Sequence, residues 1–248
     1  MSGLIKISAS QIKTYNDLCP RRWWYDRHRE RVQQPSAAFG SEMHLQLEGW
    51  LGTGAAPNND TLEGQTATAG LGLIPPPLHA EVERRFAFEY GGALYRGAVD
   101  YTVGYVPGES VVIGDHKSIG NLRYAKTEDD LLQDGQRIIY AHEAAERYNV
   151  EHVTARWIYY QRATTKKKPK ARAVEFSERR GMIRERFEDL HAKRSLPILQ
   201  ARREDRGPSA LPRNLESCSL FPPNGCPYRV ECHKGIDPME QLHAAIFL

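Results

Sequence analysis

The sequence predicts a mixed α/β core with helical and cysteine-bearing extensions. Three consecutive segments, 81–90, 93–103 and 110–117, are rich in Val, Phe, Tyr and Ile and are separated by Gly91, Gly92 and Gly108. That is the pattern of a strand meander. Helical periodicity then runs through 129–148, through Leu132, Ile139 and Ala144, before a further strand at 153–161. Alternation of this kind builds a sheet with helices against it. The last forty or so residues hold Pro208, Pro212, Pro222, Pro223 and Pro227 beside three of the four cysteines, and cannot form one regular element.

Taken in order, Ser8-Ala-Ser-Gln11 has capping-box spacing, so a helix opens near Ser8 or Ser10 and continues to Arg27. Residues 40–51 read as a second helix capped by Ser41. Residues 52–72, rich in Gly, Ala, Asn and Thr, read as a loop or weakly ordered insertion. The meander follows Pro75-Pro-Pro77, then the 129–148 helix, the 153–161 strand and a strand at 173–176, with Lys166, Lys167 and Lys168 in the connection. A charged amphipathic helix spans 179–199, and no internal repeat is present. The expectation is one domain in three parts: a helical part at 1–72, a core at 78–200 and a cysteine-rich tail at 201–248.

Hydrophobic residues make up 40% and charged residues 26% of the 248, as in ordinary globular chains. No run of 18 or more apolar residues occurs, which argues against a membrane span, and MSGLIKISAS lacks the apolar core of a secretory signal. The expected location is cytoplasmic, where four cysteines point to metal ligands or free thiols before disulfides. A net charge of +3 permits a nucleic-acid partner without demanding one. Oligomeric state is not legible.

The candidate chemistry begins at Asp115-His116-Lys117. Side chains alternate along a strand, so Asp115 and Lys117 share a face. Asp100, at the end of Gly97-Ala-Val-Asp100, lies in the preceding strand and can approach Asp115. Two such carboxylates suit Mg²⁺ or Mn²⁺, and an adjacent lysine can orient an attacking water. His44 and Glu48, four apart on a helix, can face one site, as can Gln133, Gln136 and Tyr140 on the later helix. Read without partners, each is ordinary: a salt-bridged strand end, a structural histidine, a helix surface.

Together, His44, Gly97-x-x-Asp100, Asp115-x-Lys117 and Gln136-x-x-x-Tyr140 resemble the motifs of the PD-(D/E)xK nuclease superfamily, in its RecB-like branch. The resemblance implies a metal-dependent phosphodiesterase with a central mixed sheet flanked by helices. It implies His44, Asp100, Asp115 and the backbone carbonyl of His116 as metal ligands, and Lys117 as the catalytic lysine. Gln136 and Tyr140 would support the site and its DNA contacts, with Gln133 beside them. Glu81 or Glu83 would match an acid near the first core strand of relatives.

Cys19, Cys218, Cys226 and Cys232 supply four thiols, enough for a Cys₄ zinc site or a 4Fe–4S cluster, and spacing alone does not separate these. One cysteine before the core and three after it resembles the iron–sulfur nucleases, including the Cas-four-like exonucleases and AddB-type domains. There the cluster staples the two ends of the domain. The seven residues between Cys218 and Cys226 depart from the two usual in those relatives. By this resemblance the chain would be a DNA exonuclease acting on single strands or ends in recombination, replication or CRISPR-type processing, in a bacterial, archaeal or phage-infected cell. A recombination or CRISPR-adaptation protein could be its partner. Arg21, Arg22 and Lys166 to Lys168 would be backbone contacts, and Trp23, Trp24 or Tyr25 would stack on bases or, as preferred, pack beside the cluster. The rivals are a non-hydrolytic DNA-binding accessory module, a zinc-stapled protein and a restriction-type endonuclease.

Overall fold

The computed structural model describes residues 3–29, 35–218 and 225–232. They fall into two compact units, Met1–Val32 with His191–Leu248, and Gln33–Leu190.

The N-terminal part of the smaller unit holds β1 (Ile5–Ile7), α1 (Ala9–Lys13) and α2 (Pro20–His28). Ser8 caps α1, accepting from the Gln11 amide at 3.4 Å. The continuous helix expected from there to Arg27 is broken. Thr14–Leu18 widens into a π turn, Cys19 is extended at φ −164° and ψ 126°, and α2 starts afresh at Pro20. Proline excludes its predecessor from the helical region and suits the first helical position, so Cys19 is set between two helices.

The larger unit opens with α3 (Pro35–Thr53) and α4 (Leu62–Thr68). Because α3 begins ahead of Gly40, Ser41 is not its cap; the hydroxyl donates to the Ala37 carbonyl, 3.1 Å away, from within the helix. The stretch expected as a loop contains α4, capped by the Thr61 hydroxyl, which accepts from the Gly64 amide at 3.1 Å. The meander follows as β2 (Glu81–Tyr90), β3 (Ala93–Val106) and β4 (Ser110–Ile119). The single helix expected at 129–148 is two, α5 (Glu128–Leu132) and α6 (Gly135–Tyr148). Asp134 caps α6 by accepting from the Arg137 amide at 2.8 Å. The buried Arg137 guanidinium donates to the Leu131 and Leu132 carbonyls at 3.0 and 3.1 Å and pairs with Glu178. Carbonyls left open where α5 ends are thereby satisfied, which stabilises the break. β5 (His152–Gln161), β6 (Lys170–Arg179) and α7 (Arg180–Leu190) complete the unit. β6 is longer than the 173–176 expected.

β2 pairs antiparallel with β3 and β3 with β4; β4 pairs parallel with β5, and β5 antiparallel with β6. The sheet is mixed and flanked by helices. Under α3, Met43, Leu47 and Leu51 pack with Tyr101, Ile158 and Tyr160. α6 is docked by a buried two-pronged ion pair, Arg84 to Glu143, at 2.8 and 2.6 Å. It also comes so close to Gly97 that a Cβ there would lie 2.9 Å from the Tyr140 ring and 2.7 Å from Phe86. The first residue of Gly97-x-x-Asp100 is therefore glycine for packing.

The C-terminal part of the smaller unit contains α8 (Leu196–Arg203) and α9 (Arg229–Cys232). The helix expected at 179–199 is interrupted by a π turn at His191–Ser195. Among the described residues no helix is long and apolar enough to cross a membrane.

Candidate metal centre and thiol cluster

Antiparallel pairing of β3 with β4 brings Asp100 and Asp115 together. The Asp100 carboxylate accepts from the His116 amide at 2.6 Å. Asp115, 1% exposed as a residue, has both oxygens engaged: Gln136 Nε2 lies 2.6 Å from one and Lys117 Nζ 2.6 Å from the other. Asp115 and Lys117 share a face, while His116 points away and meets Tyr160 at 3.2 Å. Gln136 and Tyr140 both belong to α6; Gln133 does not, because it is an exposed residue in the junction between α5 and α6.

His44, from α3, reaches the same place. Its Nε2 lies 2.8 Å from the His116 carbonyl and its Nδ1 3.6 Å from Asp100. A carbonyl only accepts, so Nε2 donates and Nδ1 presents its lone pair near Asp100. The same 2.8 Å separation would suit two ligands of a small divalent cation, roughly 3 Å apart at about 2.1 Å from it, once the ring proton moves to Nδ1 and Nε2 presents its lone pair.

Glu83 joins this group. Its carboxylate and ligand atoms of His44 and Asp100 all lie within 4.8 Å of one another. The register pairs Val82 with Tyr101 and Arg84 with Val99, which sets Glu83 opposite Asp100. Glu83 adopts φ +48°, a left-handed conformation unfavourable for a residue with a side chain. Strand alternation changes there: Val82 packs into the core under α3, whereas Arg84 reaches Glu143 of α6. Glu81, the other acid considered, lies outside the group; it accepts from the Tyr148 hydroxyl at 2.5 Å. Glu48 is exposed on α3, yet its charge acts on Glu83.

The electrostatics describe a site short of positive charge. Burial, then the charge of Asp115, pushes the Asp100 carboxyl well above the usual range, against relief from Lys117 and the His116 amide. Burial and then Glu48 raise Glu83. Burial lowers His44, keeping it neutral. Burial opposes the charge on Lys117, but Asp115 and Asp100 more than offset it, so the lysine is held protonated. The Tyr140 phenol is pushed up to about 12, by burial and then by Asp115, and stays neutral. The donor set is two or three carboxylate oxygens, one imidazole nitrogen and a main-chain carbonyl. It fits Mg²⁺ or Mn²⁺, which would cancel carboxylate repulsion that Lys117 leaves uncompensated. Asp115 retains lone pairs for such an ion beyond its bonds to Gln136 and Lys117.

The remaining sequence-derived candidates are dispersed. Arg21 donates to the Leu211 and Ser209 carbonyls at 2.8 and 3.2 Å within the smaller unit, and Arg22 lies 3.6 Å from Asp26. Lys166, Lys167 and Lys168 are exposed in the connection between β5 and β6.

All four cysteines belong to the smaller unit and all are buried. The Cys226 amide donates to the Cys218 carbonyl at 2.9 Å, so the two cysteines are neighbours. Gly225 permits this: it adopts φ +67°, and a Cβ there would lie 2.4 Å from the Cys218 carbonyl oxygen. Burial, then Cys226, Cys19 and Cys232, raises the Cys218 thiol to about 11, which places the other three cysteines near it. Tyr25 stacks on Tyr228 with ring centroids 5.1 Å apart, and the Tyr228 hydroxyl donates to Asp26 at 2.9 Å. Trp24 packs against this cluster, whereas Trp23 is buried edge-on against Tyr15.

The raised Asp100 gives a signed expectation. Between the ordinary carboxylate range and its raised folded value, the folded protein holds a proton that the unfolded chain has released. The group's contribution to stability is therefore full at lower pH and is lost as pH rises through that window. A divalent cation competes with this proton, so its stabilisation grows with pH. Thermal unfolding with and without Mn²⁺ at pH 5 and pH 8 should show Mn²⁺ protecting more at the higher pH. Asp100→Asn, which keeps an oxygen for the His116 amide, should abolish that protection. Equal protection of variant and parent would contradict it.

No family model matches the chain, and no curated protein matches it. Among solved structures, the one titled "Crystal structure of SSO0001" is similar at 16% identity with a TM-score of 0.45, over 96% of this chain and 90% of that one.

Proposed function

We propose that the chain is a divalent-metal-dependent deoxyribonuclease of the RecB-like, PD-(D/E)xK type, cutting phosphodiester bonds from DNA ends. The supporting observation is the juxtaposition of Asp100 and Asp115 on adjacent strands, with Lys117 on Asp115 and His44 beside Asp100. When bound, the ion would polarise the scissile phosphate and lower the pKa of a water molecule. Lys117, held protonated, orients the nucleophilic water and stabilises negative charge developing on the phosphoryl oxygens. Gln136 fixes the Asp115 carboxylate and leaves Lys117 at its other oxygen. His44 presents a neutral nitrogen, and Glu83 adds a further carboxylate on the side of Asp100.

The smaller unit carries the second part of the proposal, a 4Fe–4S cluster on Cys19, Cys218, Cys226 and Cys232. Four thiols are buried together, and burial, then the neighbouring cysteines, raises Cys218, so thiolates there are costly without a cationic centre, which iron–sulfur ligation would supply. Hydrolysis needs no electron transfer, so the cluster's role is to tie the two chain ends together, restricting a loop of about two hundred residues in the unfolded chain.

Cluster-loaded protein should digest end-labelled linear DNA with Mn²⁺ or Mg²⁺ and leave covalently closed circles intact. Lys117→Ala should lower the rate by about a hundredfold or more, the scale for removing one charge-stabilising donor. Absence of cleavage under both metals, or wild-type cleavage by the variant, would contradict the assignment.

Wild-type protein should carry iron and sulfide and absorb at about 400 nm as a cluster-bearing protein. Cys19→Ala should lose both, while Mn²⁺ still protects the larger unit. A colourless wild type with one tightly bound zinc would reject the cluster.

A further inference from the structure

The exposed aromatic that the larger unit's own packing does not explain is Tyr124. It closes the short helical turn Leu122–Tyr124, which follows β4 and starts five positions beyond Lys117. Asn121 caps this turn, accepting from the Arg123 amide at 3.0 Å. The turn is pinned to its neighbours: the Leu122 amide donates to Gln161 of β5 at 3.3 Å, and Arg172 of β6 to the Ala125 carbonyl at 3.4 Å. Lys126 then pairs with Asp134, the cap of α6. A backbone held at so many points nevertheless leaves the Tyr124 residue 64% exposed. Tyr105, 49% exposed, packs its ring on Tyr148 at 5.2 Å, whereas the Tyr124 ring meets the Arg123 guanidinium, 4.6 Å from its centroid.

We propose that Tyr124, backed by Arg123, is a stacking platform for an unpaired nucleobase of the strand being cut. The proposal rests on the nuclease reading and deepens it by naming the residues that would hold an unpaired base of the substrate. A tyrosine lying against a guanidinium presents a π face and a positive charge together, the combination that holds a base and its phosphate. Bases in a duplex hide their faces, so such a platform gains affinity from unstacked nucleotides. The surrounding charge suits a polyanion. Arg162 sits where a Cβ on Gly120 would be 3.5 Å from its guanidinium, and Lys166, Lys167 and Lys168 continue from it, exposed. Tyr124 is seven positions along the chain from Lys117, so their Cα atoms lie at most about 24 Å apart, within reach of one short single strand.

The test uses full-length, cluster-loaded protein with Mn²⁺ and three substrates: a labelled single-stranded oligonucleotide, a series carrying one abasic nucleotide at successive positions, and bis(p-nitrophenyl) phosphate, which has no base. Tyr124→Ala should raise KM for the oligonucleotide about tenfold, within the range for removing one base-stacking aromatic. Its hydrolysis of bis(p-nitrophenyl) phosphate should equal that of wild type, and Tyr124→Trp should keep the wild-type KM. In the abasic series, wild type should show one position costing about tenfold, and Tyr124→Ala should lose nothing there. Wild-type KM in Tyr124→Ala, or the same abasic profile in both proteins, would overturn the platform. If wild type hydrolyses none of the three substrates, the nuclease reading falls, and the platform with it.

Discussion

Two like charges held side by side in a buried place constrain the rest of the larger unit. Asp100 and Asp115 come from adjacent antiparallel strands, and burial together with mutual repulsion drives the Asp100 carboxyl well above its usual range. Around them the fold gathers compensation: the His116 amide on Asp100, and Gln136 and Lys117 on the two oxygens of Asp115. Each depends on packing elsewhere. Gln136 faces Asp115 because α6 starts just before it, at Gly135 with Asp134 as cap, and the buried Arg137 and the Arg84–Glu143 pair fix that start and the helix behind it. Gly97 lets α6 approach β3 closely enough for Tyr140 to lie over the strand. The compensation is incomplete, and that incompleteness is what a divalent cation would remove.

The smaller unit poses the same problem with sulfur. Four thiols from both ends of the chain are buried within reach of one another's charge, and local devices bring them there: Pro20 breaks a helix at Cys19, and Gly225 closes the loop between Cys218 and Cys226. Cys218 and Cys226 are thereby neighbours despite the long spacing between them.

The meander was legible because alternation and paired glycines specify strands and turns locally, and Asp115 with Lys117 because a two-residue spacing is a statement about one face. Helical spacing marked His44, Gln136 and Tyr140 together with Glu48 and Gln133, and only the family resemblance singled out the first three; Gln133 lies outside α6. Glu83 was only half visible. Its place opposite Asp100 and its left-handed backbone are consequences of pairing that composition does not encode. The break between α5 and α6 was hidden because apolar periodicity runs through it; the signal was Asp134, an N-cap residue three positions before Arg137. α4 was missed because Gly and Thr read as loop, although Thr61 has the spacing of a cap. Arg21, from the first basic pair, donates to a backbone carbonyl in its own unit, while Arg123 and Tyr124, with no run to mark them, are exposed in the turn after β4.

Anomalous diffraction from crystals soaked in Mn²⁺ tests the central claim most directly. A single strong peak is expected at about 2.1–2.3 Å from the Asp100 carboxylate, a His44 ring nitrogen and the His116 carbonyl oxygen. Manganese bound elsewhere with this position empty, or no manganese bound at all, would contradict the account.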